Sequence, residues 1–453
     1  MKKYLYINLS LLIMFISLWL RLYKLDFSGF SLDEMISLNI AENFNLLYLF
    51  SDNHPPLHTI ALKLWTNLFG LSEFMARFPS ALFSTGATIV IGFTALKFSN
   101  RWVSLLCMLL HAVFPLSIIN AQLVRPYALF ELASSVQFYF YLIYLQDRTR
   151  IRSLLFSSLF AVLSSYLAAL LFLFEYVFHQ RKNSNVLLII GVNALIVTLL
   201  VLSRELIDWR YLDWQLIKFN LESLSFLPLD LLRAFSYYSP ISSIGLVVLC
   251  ILFVRSLGAE QMNGFYKTTA IVLSFVLSLI VFSLVTRRAI FSERYFIFII
   301  PMFIYIAGSL VKNIYPLHRY LAIFALFFVV GGSTVSIIRK VPQKHPPWKD
   351  AAFSISLYGS SIVLTTSSRA LQVPYFKNRN IEVEPLFEED SVAEQLNFLL
   401  MDFKNVWIVD TAWNRLLNFS KLNDIVLKAN LKIEDHTIYD DASAAVVVLR
   451  ITR

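Results

Sequence analysis

Long apolar runs recur along most of the chain, and no other feature constrains its fold as strongly. A helix needs about 20 such residues to cross the hydrocarbon core of a bilayer. With a mean hydropathy of +0.64 and only 15% charged residues, the composition excludes an ordinary soluble globular protein. The sequence predicts a polytopic α-helical membrane protein. Its predicted spans are residues 5–22, 79–97, 103–120, 127–146, 186–203, 239–255, 268–286, 294–311 and 319–338.

The stretch 153–178 is longer than one ordinary span, and the charges around it decide how it divides. Basic residues flank both of its ends: Arg148, Arg150, Arg152, His179, Arg181 and Lys182. Because basic loops stay in the cytoplasm, both ends are predicted to lie there, which requires a hairpin turning near Ser164-Ser165. The first run follows Lys2-Lys3 and lacks a small-residue cleavage site, so it is interpreted as a retained helix. About eleven spans result, with the N-terminus cytoplasmic and the C-terminus outside.

The net charge of +9 does not indicate a nucleic-acid partner, because most basic residues fall in short loops where they orient a membrane protein. One loop breaks this pattern. Arg287, Arg288 and Arg294 cluster on the predicted outer side, which favours an anionic partner there. Cys107 and Cys250 both lie in apolar runs, so neither a disulfide framework nor a thiolate metal site is indicated.

The predicted domains are a membrane domain over 1–340, which includes an outer loop at 23–78, and a soluble extracytoplasmic domain over 341–453. In the second domain, polar helices alternate with β-type runs at 361–366, 405–410 and 444–451. About 110 residues are enough for a small α/β domain.

Asp33 and Glu34 form an acidic pair in the outer loop, about ten residues after the first span. Carboxylates at a bilayer edge indicate a general base or an electrostatic stabiliser. A structural alternative is equally consistent with the pattern. Ser31 followed three residues later by Glu34 is a capping box, and Asp33 would favour the positive end of the helix.

His54-Pro55-Pro56-Leu57-His58 is typical of a turn that enters a helix. The apolar spacing after it predicts an amphipathic interfacial helix. His54 and His58, four residues apart, could bind a metal together with Asp52, or could simply form hydrogen bonds. A third convincing ligand is missing, so no metal residue is assigned and dependence on a divalent cation stays open.

Arg77, Arg125 and Arg294 each stand beside a predicted span on the outer side. Arginine suits a two-point grip on phosphate. Each one alone is also explained by contact with lipid headgroups. Glu131 and Glu175, within apolar runs, are interpreted as partners of polar neighbours and receive no role.

Several motifs in this order resemble the GT-C glycosyltransferases, in particular bacterial proteins of the protein O-mannosyltransferase and lipid A aminoarabinose transferase group. The motifs are Leu32-Asp33-Glu34, Asp52-Asn53-His54-Pro55-Pro56-Leu57, Phe69-Gly70-Leu71-Ser72-Glu73, Arg77-Phe78-Pro79-Ser80, Gln122 with Arg125-Pro126-Tyr127-Ala128-Leu129, Glu293-Arg294-Tyr295 with Pro301, and Trp348-Lys349-Asp350-Ala351-Ala352. The resemblance is weakest over 180–290 and beyond 360. Leu123 and Lys349 depart from the family pattern, which leaves the acceptor open.

The resemblance implies an inverting sugar transfer, in the bacterial inner membrane, from a polyprenyl-phosphate donor to an extracytoplasmic lipid, glycan or protein hydroxyl. Asp33 is the implied base, with Glu34 as the second candidate catalytic residue. The candidate substrate-binding residues are His54, Arg77, Arg125, Tyr127, Arg294 and Tyr295. A transporter of polyprenyl-linked lipid or polysaccharide and a non-catalytic envelope assembly factor are the alternatives. The identities of the sugar and the acceptor stay open.

Overall fold

The structure, a computed structural model, describes residues 3–43, 54–177, 293–309, 348–357, 361–365, 381–385, 392–403, 405–411, 429–439 and 446–452, with short pieces between them. Contacts divide the chain into two units. The first comprises Met1–Tyr23, Asn45–Ala61 and Arg77–Val341, and the second comprises Lys24–Phe44, Leu62–Ala76 and Pro342–Arg453. Two parts of the first loop thus group with the C-terminal residues. The predicted domain division at 340/341 stays a prediction.

The helices of the described residues are α1 Lys3–Leu22, α2 Leu32–Glu42, α3 Leu57–Phe69, α4 Glu73–Phe98, α5 Arg101–Ala112, α6 Pro115–Ala121, α7 Tyr127–Gln146, α8 Ile151–Ser164, α9 Leu167–Val177, α10 Ile300–Ser309, α11 Trp348–Ser356 and α12 Val392–Asp402. Short 3-10 helices cover Arg148–Arg150 and Glu293–Phe298. The predicted amphipathic helix after His54 is present as α3.

Among the described residues, α1, α4 and α7 are long and apolar enough to cross a membrane. Helices α5 and α6 add a fourth span if they are counted as one that is bent by 56°. The sequence predicted one span over 103–120, but the helix breaks at Val113 and Phe114. Pro115 explains the break, since it lacks an N–H and is favoured in the first turn of a new helix. A second break, between α8 and α9, falls beside the predicted turn at Ser164-Ser165. The count of eleven spans lies partly outside the described residues and stays a prediction.

The buried core of the first unit is unusually aromatic. Phe130, Phe138 and Tyr144 on α7 pack with residues of α5, α6, α8 and the 3-10 helix at Glu293–Phe298. The ring of Phe298 stacks on Phe130, with centroids 5.3 Å apart. Large rigid rings with offset packing fill such a core at little conformational cost. The beginning of α7 is therefore held on several sides.

The second unit contains a five-stranded mixed sheet in the order β2-β1-β3-β5-β4. Strand β1 is parallel to β2 and β3, whereas β5 is antiparallel to β3 and β4. Leu396 and Leu399 of α12 are buried in one core with Ile362 and Ile408 of the sheet. The strands are β1 Ser361–Thr365, β2 Glu382–Pro385, β3 Asn405–Thr411, β4 Lys432–Tyr439 and β5 Val446–Thr452.

Strands β1, β3 and β5 lie at the three β-type runs that the sequence indicated. Strands β2 and β4 were not predicted, and both are edge strands. Their polar residues, such as Glu434 in β4, are typical of edges that avoid further pairing.

Candidate active site

Ser31 and Glu34 form a complete capping box at the start of α2. The Ser31 backbone N–H donates to Glu34 Oε2 over 2.8 Å, and the Glu34 N–H donates to Ser31 Oγ over 3.3 Å. The Ser31 hydroxyl also donates to Glu34 Oε2, over 3.0 Å. Glu34 is fully buried. The capping interpretation of Glu34 is therefore confirmed.

Asp33 lies between these two residues, in the first turn of α2, and its side chain is only partly buried. The positive end of a helix stabilises a carboxylate placed there. The Glu34 carboxylate is engaged in the capping box, whereas the Asp33 side chain takes no part in that box and is partly exposed. Both residues belong to the second unit.

In the first unit, His54, Arg125 and Tyr127 form a second polar group, which we call the Arg125 cluster. Arg125 Nη2 donates to His54 Nε2 over 3.2 Å, and the Arg125 Cζ lies 5.8 Å from the centre of the Tyr127 ring. His54 in turn contacts the rings of Tyr127 and Phe130 edge-on or tilted, at 6.1 and 5.6 Å. These contacts fix the guanidinium by a hydrogen bond and a cation–π contact. The cluster brings together three residues that the sequence predicted separately.

His58 lies in the first turn of α3, four residues after His54, and it is buried. Burial, with a further contribution from the positive charge of Arg125, lowers the pKa of His58 to about 3. Both causes disfavour the charged imidazole. His58 is therefore neutral at physiological pH and adds no second positive charge beside Arg125.

The structure describes His54 and His58 but not Asp52, so it does not show the predicted metal site as a whole. Asp52 and Asn53 lie outside the described residues, and His54 Nε2 accepts the hydrogen bond from Arg125. Within the part of the chain that the structure describes, no group of three His, Cys, Asp or Glu residues is placed to hold a metal ion.

Of the remaining predicted arginines, the structure describes the side chain of Arg77 but not those of Arg294, Arg287 and Arg288. Arg77 is 2% exposed in the second turn of α4, so an internal role is favoured over contact with lipid headgroups. Arg294 and Tyr295 lie on the 3-10 helix whose Phe298 stacks on Phe130, beside the Arg125 cluster in the chain's first unit. The side chains of Arg294 and Tyr295 lie outside the described residues, as do Arg287 and Arg288.

Gln122 ties the end of α1 to the turn that precedes Arg125. Its Nε2 lies 3.4, 3.3 and 3.0 Å from the carbonyl oxygens of Leu20, Arg21 and Tyr23. The last carbonyls of a helix have no partner within it and are commonly capped in this way. Gln122 therefore fixes the point at which the chain leaves α1.

A buried polar network joins α1, α4, α5, α6 and α7. It confirms that Glu131 pairs with polar neighbours, but the sequence did not predict the network itself. Arg21 Nε donates to Ser84 Oγ over 2.8 Å, and Ser84 Oγ donates to Glu131 Oε2 over 2.8 Å. On its other side, Glu131 accepts from Ser117 Oγ, and His111 Nε2 lies 3.0 Å from Glu131 Oε1. Arg21, His111 and Glu131 are all completely buried. In the sequence, the available signal for this network was a charged residue within an apolar run at each of positions 21 and 131.

The hydrogen bonds of this network, which we call the Arg21–Glu131 network, close into a ring. Arg21 Nη1 donates to Ser17 Oγ over 2.8 Å, Ser17 Oγ lies 2.9 Å from Thr88 Oγ1, and Thr88 Oγ1 lies 2.8 Å from His111 Nδ1. A neutral His111 with its proton on Nε2 satisfies every one of these contacts. The ring then holds one positive and one negative charge, which is the arrangement a low-dielectric interior tolerates.

Glu175 also pairs with a polar neighbour, as the sequence indicated, since Gln137 Nε2 donates to Glu175 Oε2 over 3.1 Å.

No family model and no curated protein matches the chain. Solved structures match it over most of its length. ArnT from Cupriavidus metallidurans bound to undecaprenyl phosphate has a TM-score of 0.58 and 13% identity, covering 98% of this chain and 97% of that chain. The oligosaccharyltransferase AglB from Archaeoglobus fulgidus, in complex with an inhibitory peptide and a dolichol-phosphate, has a TM-score of 0.51 and 11% identity, covering 90% and 69%. Both are GT-C glycosyltransferases. At such low identity a likeness shows the fold alone, and this chain shares the multi-pass membrane fold of these two structures.

Proposed function

We propose that this protein is an inverting membrane glycosyltransferase, which moves a sugar from a polyprenyl-phosphate donor to an acceptor hydroxyl outside the cytoplasm. The observation that carries the proposal is the GT-C fold over 98% of the chain, in a chain that presents Asp33 at a capped helix end. Fold alone does not determine function. The Arg125 cluster supplies the independent chemical support, because it holds a cation suited to a phosphate.

The proposed reaction has one displacement step. The acceptor hydroxyl oxygen forms a bond to the anomeric carbon as the bond from that carbon to the phosphate oxygen breaks. The lipid phosphate leaves with the bonding electron pair, and Asp33 takes the hydroxyl proton. A phosphate is a good leaving group once its added charge is balanced, so the chain's main tasks are proton removal and charge stabilisation.

In this proposal Arg125 contacts the donor phosphate, with Arg294 and the weaker candidate Arg77 as further cations. His54 and Tyr127 hold the Arg125 guanidinium in place, which reduces the ordering cost of binding. Because His58 is neutral, Arg125 supplies the positive charge at this point. Tyr295 stays a proposed substrate contact, and no step is assigned to a divalent cation.

The test is a transfer assay with purified protein in nanodiscs, labelled polyprenyl-phosphate sugars and candidate hydroxyl acceptors. Asp33→Asn keeps the size of the side chain and removes the base, so transfer should fall by about 10²- to 10⁴-fold. The matched control is Glu42→Gln, because Glu42 is an exposed acid at the far end of the same helix. Transfer by correctly inserted Asp33→Asn at the wild-type rate would remove Asp33 as the base.

The same preparation separates the enzyme from its alternatives. Movement of the intact lipid-linked sugar across proteoliposomes, with no transfer to any acceptor, would replace the enzyme by a transporter. Mass spectrometry of envelope glycoconjugates after deletion of the gene would identify the acceptor and the sugar. An unchanged set of glycoconjugates and lipid-linked sugars would contradict the proposed function.

A further inference from the structure

Tyr375, in the connection between β1 and β2, lies against the residue that precedes the capping box of α2. The Phe30 backbone N–H donates to Tyr375 Oη over 2.7 Å. The two rings also pack, with centroids 5.9 Å apart and planes at 31°. Phe30 is buried and Tyr375 is 6% exposed. All of these residues belong to the second unit.

The Tyr375 hydroxyl also bonds to a second part of the first loop. Tyr375 Oη donates to Glu73 Oε1 over 3.2 Å, and Glu73 is the first residue of α4. A phenol has one donor and can accept as well, so the hydroxyl accepts from one arm of the loop and donates to the other. One C-terminal side chain thus joins the arms Lys24–Phe44 and Leu62–Ala76.

The consequence for Asp33 follows from chain order. Two successive backbone amides are fixed at the start of α2: that of Phe30 by Tyr375, and that of Ser31 by Glu34. With both amides held, the first turn of α2 has a defined direction, and that turn carries Asp33. A buried hydrogen bond supported by ring packing is well suited to such positioning.

We propose that Tyr375 is a positioning residue for Asp33, through which the C-terminal sheet unit sets the geometry of the base. This inference rests on the proposed function, since it assigns Asp33 the role of base. It predicts that the C-terminal segment contributes to the rate of transfer without contacting the donor sugar. Misplacing a reacting group by about 1 Å costs up to about 10²-fold in rate.

The test is Tyr375→Phe in the full chain, which removes one oxygen and keeps the ring. We expect kcat to fall by about 10- to 100-fold, while the KM for the lipid-linked donor stays within error of wild type and the loss of kcat exceeds what any shift of the thermal unfolding midpoint explains. Glu73→Gln keeps the acceptor oxygen and should remain within about threefold of wild type, whereas Glu73→Ala should lose part of the rate. Because both changes act on one contact, the effects of Tyr375→Phe and Glu73→Ala should not add.

Tyr141→Phe is the matched control, because it also removes a buried hydroxyl hydrogen bond, from Tyr141 Oη to the Glu175 carbonyl over 3.0 Å. That variant should change stability without a selective loss of kcat. If Tyr375→Phe loses activity only in step with its unfolding midpoint, as a purely structural hydroxyl would, the positioning role is refuted. An unchanged kcat refutes it equally.

Hydrogen exchange provides a readout that does not depend on activity. The Phe30 amide should exchange faster in Tyr375→Phe, in a peptide that covers residues 28–38, while Tyr141→Phe leaves this peptide unchanged. A wild-type protein that transfers no sugar from any polyprenyl-phosphate donor would refute the proposed function. In that event faster exchange would still establish the contact and would limit Tyr375 to loop ordering, while unchanged exchange would overturn the contact as well.

Discussion

Removal of the Glu131 carboxylate should destabilise the protein strongly, because Glu131 is the only negative charge that the described ring contains. In Glu131→Leu, three donors lose their acceptor: Ser84 Oγ, Ser117 Oγ and His111 Nε2. The Arg21 guanidinium then stays buried without its counter-charge. Breaking a buried ion pair by removing one partner costs about 3–5 kcal/mol. Ser84 Oγ has an alternative acceptor in the Ser117 carbonyl at 3.4 Å, so we expect the lower half of that range.

Two further variants test the reasoning more sharply than the single deletion. Glu131→Gln keeps one acceptor oxygen and removes the charge, so we expect a smaller loss, about 1–3 kcal/mol. Arg21→Met with Glu131→Leu removes both charges and leaves none uncompensated. Replacement of a whole buried pair by apolar residues is often close to neutral. The double variant should therefore recover at least half of the stability that Glu131→Leu loses.

The assay is equilibrium unfolding in mixed micelles, titrated with SDS and followed by circular dichroism, with transfer activity measured in parallel. The double-mutant cycle isolates the interaction between the two charges. A Glu131→Leu free energy of unfolding within about 0.5 kcal/mol of wild type would refute the ring. A double variant whose loss equals the sum of the two single losses would refute the claim that Arg21 and Glu131 stabilise each other.

Further predictions concern the two predicted parts of the active site and the topology. Arg125→Lys should lower kcat/KM for the donor almost as much as Arg125→Gln, because an ammonium reproduces neither the planar guanidinium nor its contact with the Tyr127 ring; steady-state kinetics with both variants checks this. The pKa of His58 is lower in the folded protein than in the unfolded chain, so the unfolded chain binds the proton first as the pH falls. The free energy of unfolding should therefore drop from about pH 6.5 towards about pH 3. The unfolding midpoints of wild type and His58→Gln, measured across that range, should converge at acid pH. Glu34→Gln should keep more activity than Glu34→Ala, since glutamine also completes a capping box, and equal losses would contradict the capping role. A tag at the C-terminus should be reached by protease added to spheroplasts with an intact inner membrane, and protection there would overturn the predicted orientation.

Periodicity and length were sufficient to predict the long apolar helices among the described residues, because burial in lipid imposes a strong and local pattern. The helices α1, α4 and α7 match predicted spans, although α4 begins at Glu73 and not at Pro79. The start of α4 was misplaced because Pro79 does not begin the helix but lies in its second turn. Pro79 has no N–H for the Met75 carbonyl, and that carbonyl accepts instead from Trp65 Nε1 over 2.8 Å. The break between α5 and α6 depended on Pro115, whose effect inside an apolar run is not visible in the hydropathy alone.

Polar residues inside apolar runs were the weakest point of the sequence analysis. Glu131 was correctly predicted to pair with polar neighbours, but those neighbours were not identified, and Arg21 was not considered. Their partners lie 63 and 47 residues away, in Ser84 for both. A serine hydroxyl that accepts from one charge and donates to the other leaves no signature in spacing or composition. Only the packing of α1, α4 and α7 brings the three together.

Two contacts at the start of α2, before Asp33, differ in how far the sequence predicts them. Glu34 and Ser31 are three residues apart, so helix geometry alone connects them and assigns the cap to Glu34. Tyr375 and Phe30 are 345 residues apart. A contact at that separation depends on how a sheet connection folds onto a loop, and no local rule predicts it. If Tyr375→Phe slows transfer selectively, the geometry of Asp33 is set jointly by a local cap, which the sequence encodes, and a distant hydroxyl, which only the folded chain supplies.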